Sequence, residues 1–281
     1  MSRADRRSPT KANDSPRGEA CWKERLSRAQ AEGLIRPGER LDDLQRGGLV
    51  IMQDPGRFCF GTDAVLLSDF VQASAGGRVL DLGTGTGILP LLMSAKTEAS
   101  HFDALEIQHE SADLASRNVR LNDLTDRITI IEGDLREADA FLAPASYDVI
   151  TCNPPYRKAG EGAVNPEGAS AIARHEILCT FEDVARVSEK LLKPGGHFFA
   201  VHRPQRLPEL FRALTARRLE PKRMRLCYPR IDRAPDLVLL ECVRGGRPRL
   251  AVEKPLIIWK EDGTYTDEVK EVYGFSDTSA R

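Results

Sequence analysis

Short apolar segments alternate with longer segments of helical periodicity along the middle of the chain. The predicted strands lie at 78–81, 102–107, 128–132, 147–152 and 197–202, and the predicted helices between them at 89–96, 110–122 and 181–192. Strands that alternate with helices across short connections are typical of a parallel sheet covered on both faces. The pattern therefore predicts an α/β protein with a doubly wound, mostly parallel sheet.

The flanking segments are less regular. Residues 1 to about 20 contain almost no apolar residues and predict a disordered tail, and residues 21–36 could form a short amphipathic helix. The remaining predicted elements are strands at 49–53, 58–60, 223–228 and 237–243 and helices at 63–71 and 207–216. We divide the chain into a polar N-terminal tail (1–40), one domain (41–258) and a C-terminal tail (259–281).

Composition is that of an ordinary globular protein. The 281 residues are 41% hydrophobic and 30% charged, and no apolar run is long enough to span a bilayer. No apolar stretch follows the basic N-terminus, so no secretory signal is visible. The six cysteines contain no CxxC pair, which argues against a zinc ribbon and a thioredoxin-type site and favours free thiols in a reducing compartment. We expect a cytoplasmic protein with no metal site.

The net charge of −1 hides a strong asymmetry along the chain. Residues 41–202 hold 14 Lys and Arg against 24 Asp and Glu, a net charge of −10, whereas residues 203–249 hold 13 against 5, a net charge of +8. Basic clusters of this kind attract phosphate backbones. A solvated Arg-rich face without a partner has the same composition.

A glycine-rich turn follows the strand at 78–81. In VLDLGTGTG, Asp81 ends the strand and Gly83, Gly85 and Gly87 follow at alternate positions. Dinucleotide sites use the spacing GxGxxG and cradle a pyrophosphate. Here the spacing is GxGxG, and a carboxylate beside it opposes a pyrophosphate but suits a cationic ligand. The pattern predicts an S-adenosylmethionine site, because this ligand carries an ammonium and a sulfonium group.

Two further acidic residues lie at the ends of the next two strands. Glu106 comes about 20 residues after the turn, where an acidic side chain can bind the two ribose hydroxyls. Asp134, just after the third strand, could accept a hydrogen bond from the adenine amino group. The alternative is that Asp81, Glu106 and Asp134 are helix caps.

The tetrapeptide Asn153-Pro154-Pro155-Tyr156 follows the fourth strand and carries the candidate chemistry. The Asn153 side-chain oxygen and the Pro154 carbonyl can accept hydrogen bonds from a planar NH₂ group that is to be methylated. The two prolines restrict the loop, and Tyr156 offers a flat face on which an extruded base can stack. The alternative is a simple proline turn after a strand.

These motifs together resemble the Rossmann-like class I S-adenosylmethionine-dependent amino-methyltransferases. FGTDAVLL (Phe60–Leu67) and ARHE (Ala173–Glu176) resemble the bacterial tRNA adenine-N6 methyltransferase family, and residues 254–274 resemble Gram-positive members of it. The resemblance implies methylation of the adenine 3′ of the anticodon, position 37, of a valine tRNA. It also implies that Asp81, Gly83, Gly85, Gly87, Glu106, Asp134 and Asn153 bind the cofactor. Asn153 to Tyr156 would also present the base, and the Thr62-Asp63 turn would close over the methionine end.

An RNA substrate gives the basic segment 203–249 a function as a phosphate contact. Other readings stay open at this point: a protein-glutamine N5 methyltransferase, an rRNA or DNA amino-methyltransferase with the same NPPY loop, and a catalytically silent RNA-binding protein. Residues 1–40 are too short and polar to form the N-terminal helical domain of the glutamine methyltransferases. The tRNA enzyme is therefore the leading hypothesis.

Overall fold

The computed structural model of the protein describes residues 16–56, 59–154 and 179–275, with side chains from residue 21 onward. The helices are α1 (Pro16–Ala31), α2 (Thr62–Phe70), α3 (Ile88–Lys96), α4 (His109–Leu121), α5 (Ala138–Phe141), α6 (Phe181–Leu191), α7 (Leu207–Ala216) and α8 (Asp267–Tyr273). The strands are β1 (Arg40–Asp43), β2 (Val50–Gln53), β3 (Arg78–Leu82), β4 (His101–Glu106), β5 (Ile128–Glu132), β6 (Tyr147–Cys152), β7 (Leu192–His202), β8 (Leu219–Tyr228), β9 (Leu237–Arg244), β10 (Ala251–Val252) and β11 (Leu256–Ile257).

One nine-stranded sheet organises the chain, in the order β10-β8-β9-β7-β6-β3-β4-β5, with β11 also paired to β8. The five neighbouring strands β5, β4, β3, β6 and β7 are parallel. Strand β9 lies between β7 and β8 and is antiparallel to both. The chain order reverses between β3 and β6, which is where an open sheet of this type forms its ligand crevice. The predicted doubly wound, mostly parallel α/β fold is confirmed.

Two apolar layers cover the faces of the sheet. Neighbouring strand residues point to opposite faces, so Phe199 packs in one layer with Leu67 and Leu92, whereas Phe198 packs in the other with Leu191. Helix α6 begins at a capping box in which the Thr180 hydroxyl accepts from the backbone N–H of Asp183 and the Asp183 carboxylate accepts from that of Thr180. The central strands are buried on both sides, which explains their continuous apolar sequences.

The N-terminal segment packs on the domain through α1 and the β1–β2 hairpin. Helix α1 begins at Pro16 and ends at Ala31, so the helix predicted at 21–36 is displaced toward the N-terminus. Arg25 and Arg28 both pair with Asp123, which follows α4. The Asn118 side chain on α4 bonds both the N–H and the C=O of Met52 on β2. The hairpin is therefore fixed to the helix that flanks the glycine turn.

Several predicted boundaries were wrong. Phe60 lies outside any strand although a strand was predicted at 58–60; residue 58 itself is outside the described residues. Strand β8 begins at Leu219 rather than at residue 223, because a bulge between Pro221 and Arg223 lets its pairing with β9 continue. Strand β1, which the sequence pattern did not indicate, exists through its pairing with β2.

The C-terminal segment also packs against the core. Val269, Val272 and Tyr273 of α8 are buried beside α2. A seven-residue helix is too short to show a periodicity in the sequence, so the pattern predicts only a tail here. None of the helices in the described part of the chain combines the length and the apolar character that crossing a bilayer requires.

Candidate active site

Four adjacent strands, β6, β3, β4 and β5, end at the same edge of the sheet. The register pairs Leu82 with Cys152, the last residues of β3 and β6, so Gly83 and Asn153 directly follow two paired strand ends. On the other side of β3, Leu82 pairs with Leu105, the residue before Glu106. The sequence motifs therefore converge in the crevice between β3 and β6 and along the neighbouring strand ends.

The glycine turn has a backbone that other residues would adopt only with strain. Gly83, Gly85 and Gly87 have φ values of +73°, +58° and +82°. A Cβ added to Gly83 or Gly85 would meet nothing within 4 Å, whereas one on Gly87 would lie 3.4 Å from the Cβ of Ala115. The first two glycines thus leave open space over the turn, and the third lets α3 pack closely on α4.

Asp81 is a buried carboxylate with an unused oxygen. The residue is only 1% exposed, and its Oδ1 accepts a hydrogen bond from the Thr151 hydroxyl at 2.6 Å. Its Oδ2 is buried without a hydrogen-bond partner among the described residues. Its pKa is raised to about 6, mainly by burial and to a smaller extent by the nearby Glu106 charge, while the Thr151 and Thr84 hydroxyls act in the opposite direction. A cationic or N–H-bearing ligand would satisfy this oxygen.

Glu106 ties the glycine turn to the end of β4. Its Oε2 accepts from the backbone N–H of Gly85 and its Oε1 from that of Gln108, both at 2.9 Å. An ionised carboxylate has about four acceptor sites, so capacity remains for two ligand hydroxyls. The capping alternative and the binding role are thus compatible at this residue.

Asp134 is more fully engaged than the other two acids. Its Oδ1 accepts from the backbone N–H of Arg136 at 2.8 Å and caps the short 3₁₀ turn at Leu135–Glu137. The Arg136 guanidinium also binds the same carboxylate. The capping alternative therefore describes Asp134 in this structure, and contact with an adenine amino group stays a prediction.

Thr62 and Asp63 form the first turn of α2, which packs against α3, the helix after the glycine turn. The Asp63 carboxylate accepts from the backbone N–H of Ala64 at 2.8 Å. The Tyr273 hydroxyl donates to the Thr62 hydroxyl at 3.1 Å. This contact, made by a residue 211 positions away, connects the C-terminal helix to the predicted cofactor turn.

Asn153 and Pro154 lie directly after β6 and are partly exposed. Pro155 and Tyr156, together with the ARHE segment at 173–176, lie outside the described residues. The structure thus brings Asn153 and Pro154 to the glycine turn, and the roles of Pro155 and Tyr156 rest on the sequence.

Sequence reasoning missed three residues at this edge. Thr151 supports Asp81, and no local sequence signal identifies it because the contact depends on the β3–β6 pairing. Ile107 and Phe141 are exposed apolar side chains (37% and 49%). The Phe141 ring packs closely on Gly133, where an added Cβ would lie 3.0 Å from the ring. An apolar residue directly after the acid of β4 was a usable signal for Ile107.

Ion pairs within the protein neutralise part of the positive charge of the basic segment 203–249. Three arginines of the segment 203–249 pair with carboxylates at 2.6–2.7 Å: Arg206 with Glu209, Arg223 with Glu241, and Arg225 with Glu268. Arg212, Arg217, Arg218 and Arg230 are exposed and form no ion pair with a described residue. The free positive charge is therefore smaller than the sequence count suggests.

The described residues contain no group of three or more His, Cys, Asp or Glu side chains arranged to hold a metal ion. All six cysteines are free thiols, and burial raises the pKa of the Cys152 thiol next to the site well above its usual range. Cys152 thus packs in the core at the strand end.

Comparisons with known proteins agree with this geometry. The family model described as "Methyltransferase small domain" matches residues 49–215. A tRNA1(Val) (adenine(37)-N6)-methyltransferase from Tolumonas auensis is 31% identical over 219 residues, which are 78% of this chain and 89% of that protein. A protein of the same name from Dyadobacter fermentans is 31% identical over 77% of this chain and 89% of its own length.

Among solved structures, a predicted O-methyltransferase from Agrobacterium tumefaciens superimposes with a TM-score of 0.62 at 25% identity, covering 75% of this chain and 95% of that one. The fold is therefore that of the class I S-adenosylmethionine-dependent methyltransferases. The glycine turn, Glu106 at the end of β4 and Asn153 lie at one edge of the sheet, and the relatives match most of the chain. The chain therefore belongs to the methyltransferase small domain family, in the group of the bacterial tRNA1(Val) (adenine(37)-N6)-methyltransferases.

Proposed function

We propose that this protein transfers a methyl group from S-adenosylmethionine to the exocyclic N6 of an adenine in tRNA, at position 37 of a valine tRNA. The names of its relatives and the family match support this activity. The observation that best supports it is the register of β3 and β6, which pairs the residues directly before Gly83 and Asn153. The residue that would hold the amino group thus adjoins the turn that would hold the methyl donor.

The residues at the strand ends fit the cofactor. S-adenosylmethionine supplies an electrophilic methyl group on a positively charged sulfur. The unpaired Oδ2 of Asp81 provides a negative site for the cationic end of the ligand. The remaining acceptor capacity of Glu106 suits ribose hydroxyls, and the open space over Gly83 and Gly85 lets a ligand approach the backbone. Thr62 and Asp63 would close over the methionine end.

The chemistry required of the protein is mainly alignment. The lone pair of an adenine N6 is delocalised into the ring, so the nitrogen must be held in a geometry that favours attack. The Asn153 Oδ1 and the Pro154 carbonyl would accept hydrogen bonds from its two N–H groups, and the Pro-Pro sequence at 154–155 would restrict the backbone around them. Tyr156 would stack on the extruded base. No general base is needed, because the nitrogen becomes strongly acidic once it is methylated.

The exposed arginines in 203–249 would contact the tRNA backbone, and the enzyme would act in the cytoplasm. Phosphate contacts position a nucleic acid without reading its sequence. Free thiols on all six cysteines are consistent with a reducing compartment. Arg212, Arg217, Arg218 and Arg230 are the first candidates, because they have no ion-pair partner among the described residues.

The test is transfer of labelled methyl into total tRNA from cells that lack the modification. The wild-type protein should give N6-methyladenosine, and Asn153→Ala should lose the label while calorimetry still detects binding of S-adenosylmethionine. Gln72→Ala, an exposed amide near the opposite edge of the sheet, is the control and should keep full activity. No label in tRNA with intact cofactor binding would overturn the proposal in favour of a protein-glutamine, rRNA or DNA target.

A further inference from the structure

The loop between β8 and β9 stands at the catalytic edge of the sheet. Cys227 near the end of β8 pairs with Leu237 at the start of β9, and Val238 pairs with His202, the last residue of β7. The loop therefore leaves the sheet at the same edge as Asn153. Ile231 in this loop is 71% exposed, more than any other large apolar side chain in the described part of the chain.

This loop and the segment after β11 line a cavity of about 530 Å³. Its walls include Arg230, Ile231, Asp232, Trp259, Lys260 and Glu261. A cavity of this size lies within the range of small-ligand sites and is large enough for a nucleobase. We refer to it as the β8–β9 cavity.

Trp259 is held rigidly in the wall of the β8–β9 cavity. Its backbone N–H donates to the carbonyl of Pro229 at 2.9 Å, which joins the two segments. Its ring stacks on Tyr265 with centroids 4.2 Å apart, and Tyr265 stacks on Tyr273 at 5.1 Å. A tryptophan fixed in this way loses little conformational entropy when a planar group packs on it.

The charges of the cavity favour a neutral planar group next to an anion. Arg230 and Lys260 are balanced by Asp232 and Glu261, so the lining as a whole is close to neutral. Lys260 pairs with Asp267 at 2.7 Å, whereas Arg230 is exposed and has no ion-pair partner among the described residues. Arg230 is thus available for a phosphate, and Trp259 and Ile231 for a base.

The cavity is within reach of a short stretch of RNA from the catalytic loop. Strand β8 is three positions from β6 in the sheet, which corresponds to roughly 14 Å at the usual strand spacing. Unpaired bases in RNA loops are commonly bound by stacking on aromatic side chains, with basic groups on the backbone.

We propose that the β8–β9 cavity binds an unpaired nucleotide of the RNA substrate, close in sequence to the methylated adenine. The base packs against Trp259 and Ile231, and its phosphate contacts Arg230. This inference rests on the proposed function, because it requires an RNA substrate.

The test uses two variants and two matched controls. Ile231→Ser and Arg230→Ala should each raise the Kd of an anticodon stem-loop RNA about 5- to 10-fold, the effect of about 1 to 1.4 kcal/mol. Val252→Ser, at a 61% exposed position on β10, removes an exposed branched aliphatic side chain elsewhere, and Arg120→Ala removes a 59% exposed guanidinium on α4 that pairs with Glu32. Both should leave Kd unchanged. Cofactor affinity should be the same in all five proteins.

Tryptophan fluorescence gives a second measurement. The chain has two tryptophans, so Trp22→Phe leaves Trp259 as the only reporter. Titration with the stem-loop should quench its emission. If the wild type neither binds nor methylates RNA, the proposed function fails and this inference with it. If the wild type does both, but the two variants match their controls and the emission is unchanged, only the inference fails.

Discussion

Replacing Asp81 with asparagine tests the electrostatics of the candidate site. The carboxylate is 1% exposed, and burial raises its pKa to about 6 from an ordinary value of 3.8. An acid whose pKa is higher in the folded chain stabilises the fold fully below its unfolded pKa, and this contribution is lost as the pH rises through the folded pKa. The free protein should therefore lose stability from this group between about pH 4 and pH 6.

The size of the effect follows from the two pKa values. Ionisation of Asp81 costs the folded state about 3 kcal/mol at pH 8 and about 1.6 kcal/mol at pH 5. The asparagine variant has no such pH dependence. Its amide nitrogen in place of Oδ2 would be a buried donor without an acceptor, which costs about 1 to 3 kcal/mol at every pH. The pH-dependent difference of about 1.4 kcal/mol between pH 5 and pH 8 is therefore the quantity to measure.

The assay is urea denaturation of the wild type and Asp81→Asn at both pH values without cofactor. Relative to the wild type, the variant should gain about 1.4 kcal/mol in unfolding free energy from pH 5 to pH 8. Asp126→Asn, at an exposed position, is the control for the substitution itself. Calorimetry should show at least about a 10-fold loss of S-adenosylmethionine affinity, since a hydrogen bond to a charged group contributes about 1.5 to 3 kcal/mol. An equal stability change at both pH values would refute the electrostatic argument, and unchanged affinity would remove Asp81 from the cofactor site.

Three further changes test other parts of the structure. Tyr273→Phe removes the hydrogen bond to Thr62 and should raise the Kd of S-adenosylmethionine about 2- to 10-fold with little change in Tm; an unchanged Kd in calorimetry would contradict a role for this contact. Gly85→Ala should cost about 1 to 2 kcal/mol in stability, as should Gly76→Ala at a similar φ and with similarly open space, but only Gly85→Ala should weaken cofactor binding. Burial lowers the pKa of His202 to about 4, so this residue contributes its full stability above about pH 6.5 and the contribution is lost as the pH falls toward 4. Between pH 7 and pH 4 the unfolding free energy of the wild type should therefore fall by about 3 kcal/mol more than that of His202→Asn, as measured by denaturant titrations at both pH values.

The catalytic edge was predictable because its signals are local. Each acid or glycine follows a buried strand by a fixed number of residues, and the ends of parallel strands meet at one edge. The positions of Asp81, Gly83, Glu106 and Asn153 relative to strands β3, β4 and β6 followed from this rule. The ion pair between Asp134 and Arg136 was not predictable in this way, because Arg136 is an exposed residue and no sequence pattern marks it as a partner.

The contributions of the two chain ends were not predictable from the pattern. Helix α1 carries few apolar residues, and it is held by ion pairs of Arg25 and Arg28 to Asp123 as well as by packing. Helix α8 has only seven residues, yet Tyr273 from it reaches Thr62. Contacts between residues 95 or more positions apart leave no periodic signal in either segment.

The amino-acid sequence alone determined the fold class, the order of the central elements and the chemical types present at the strand ends, because these depend on hydrophobic periodicity and on residues next to each strand. Only the tertiary structure decided which oxygen of Asp81 is unpaired, which arginines of the basic segment are already neutralised, and that the β8–β9 loop and Trp259 form one cavity. These properties depend on strand register and on packing between distant segments. They are fixed only in the folded protein, where residues far apart in the sequence become neighbours and are buried together.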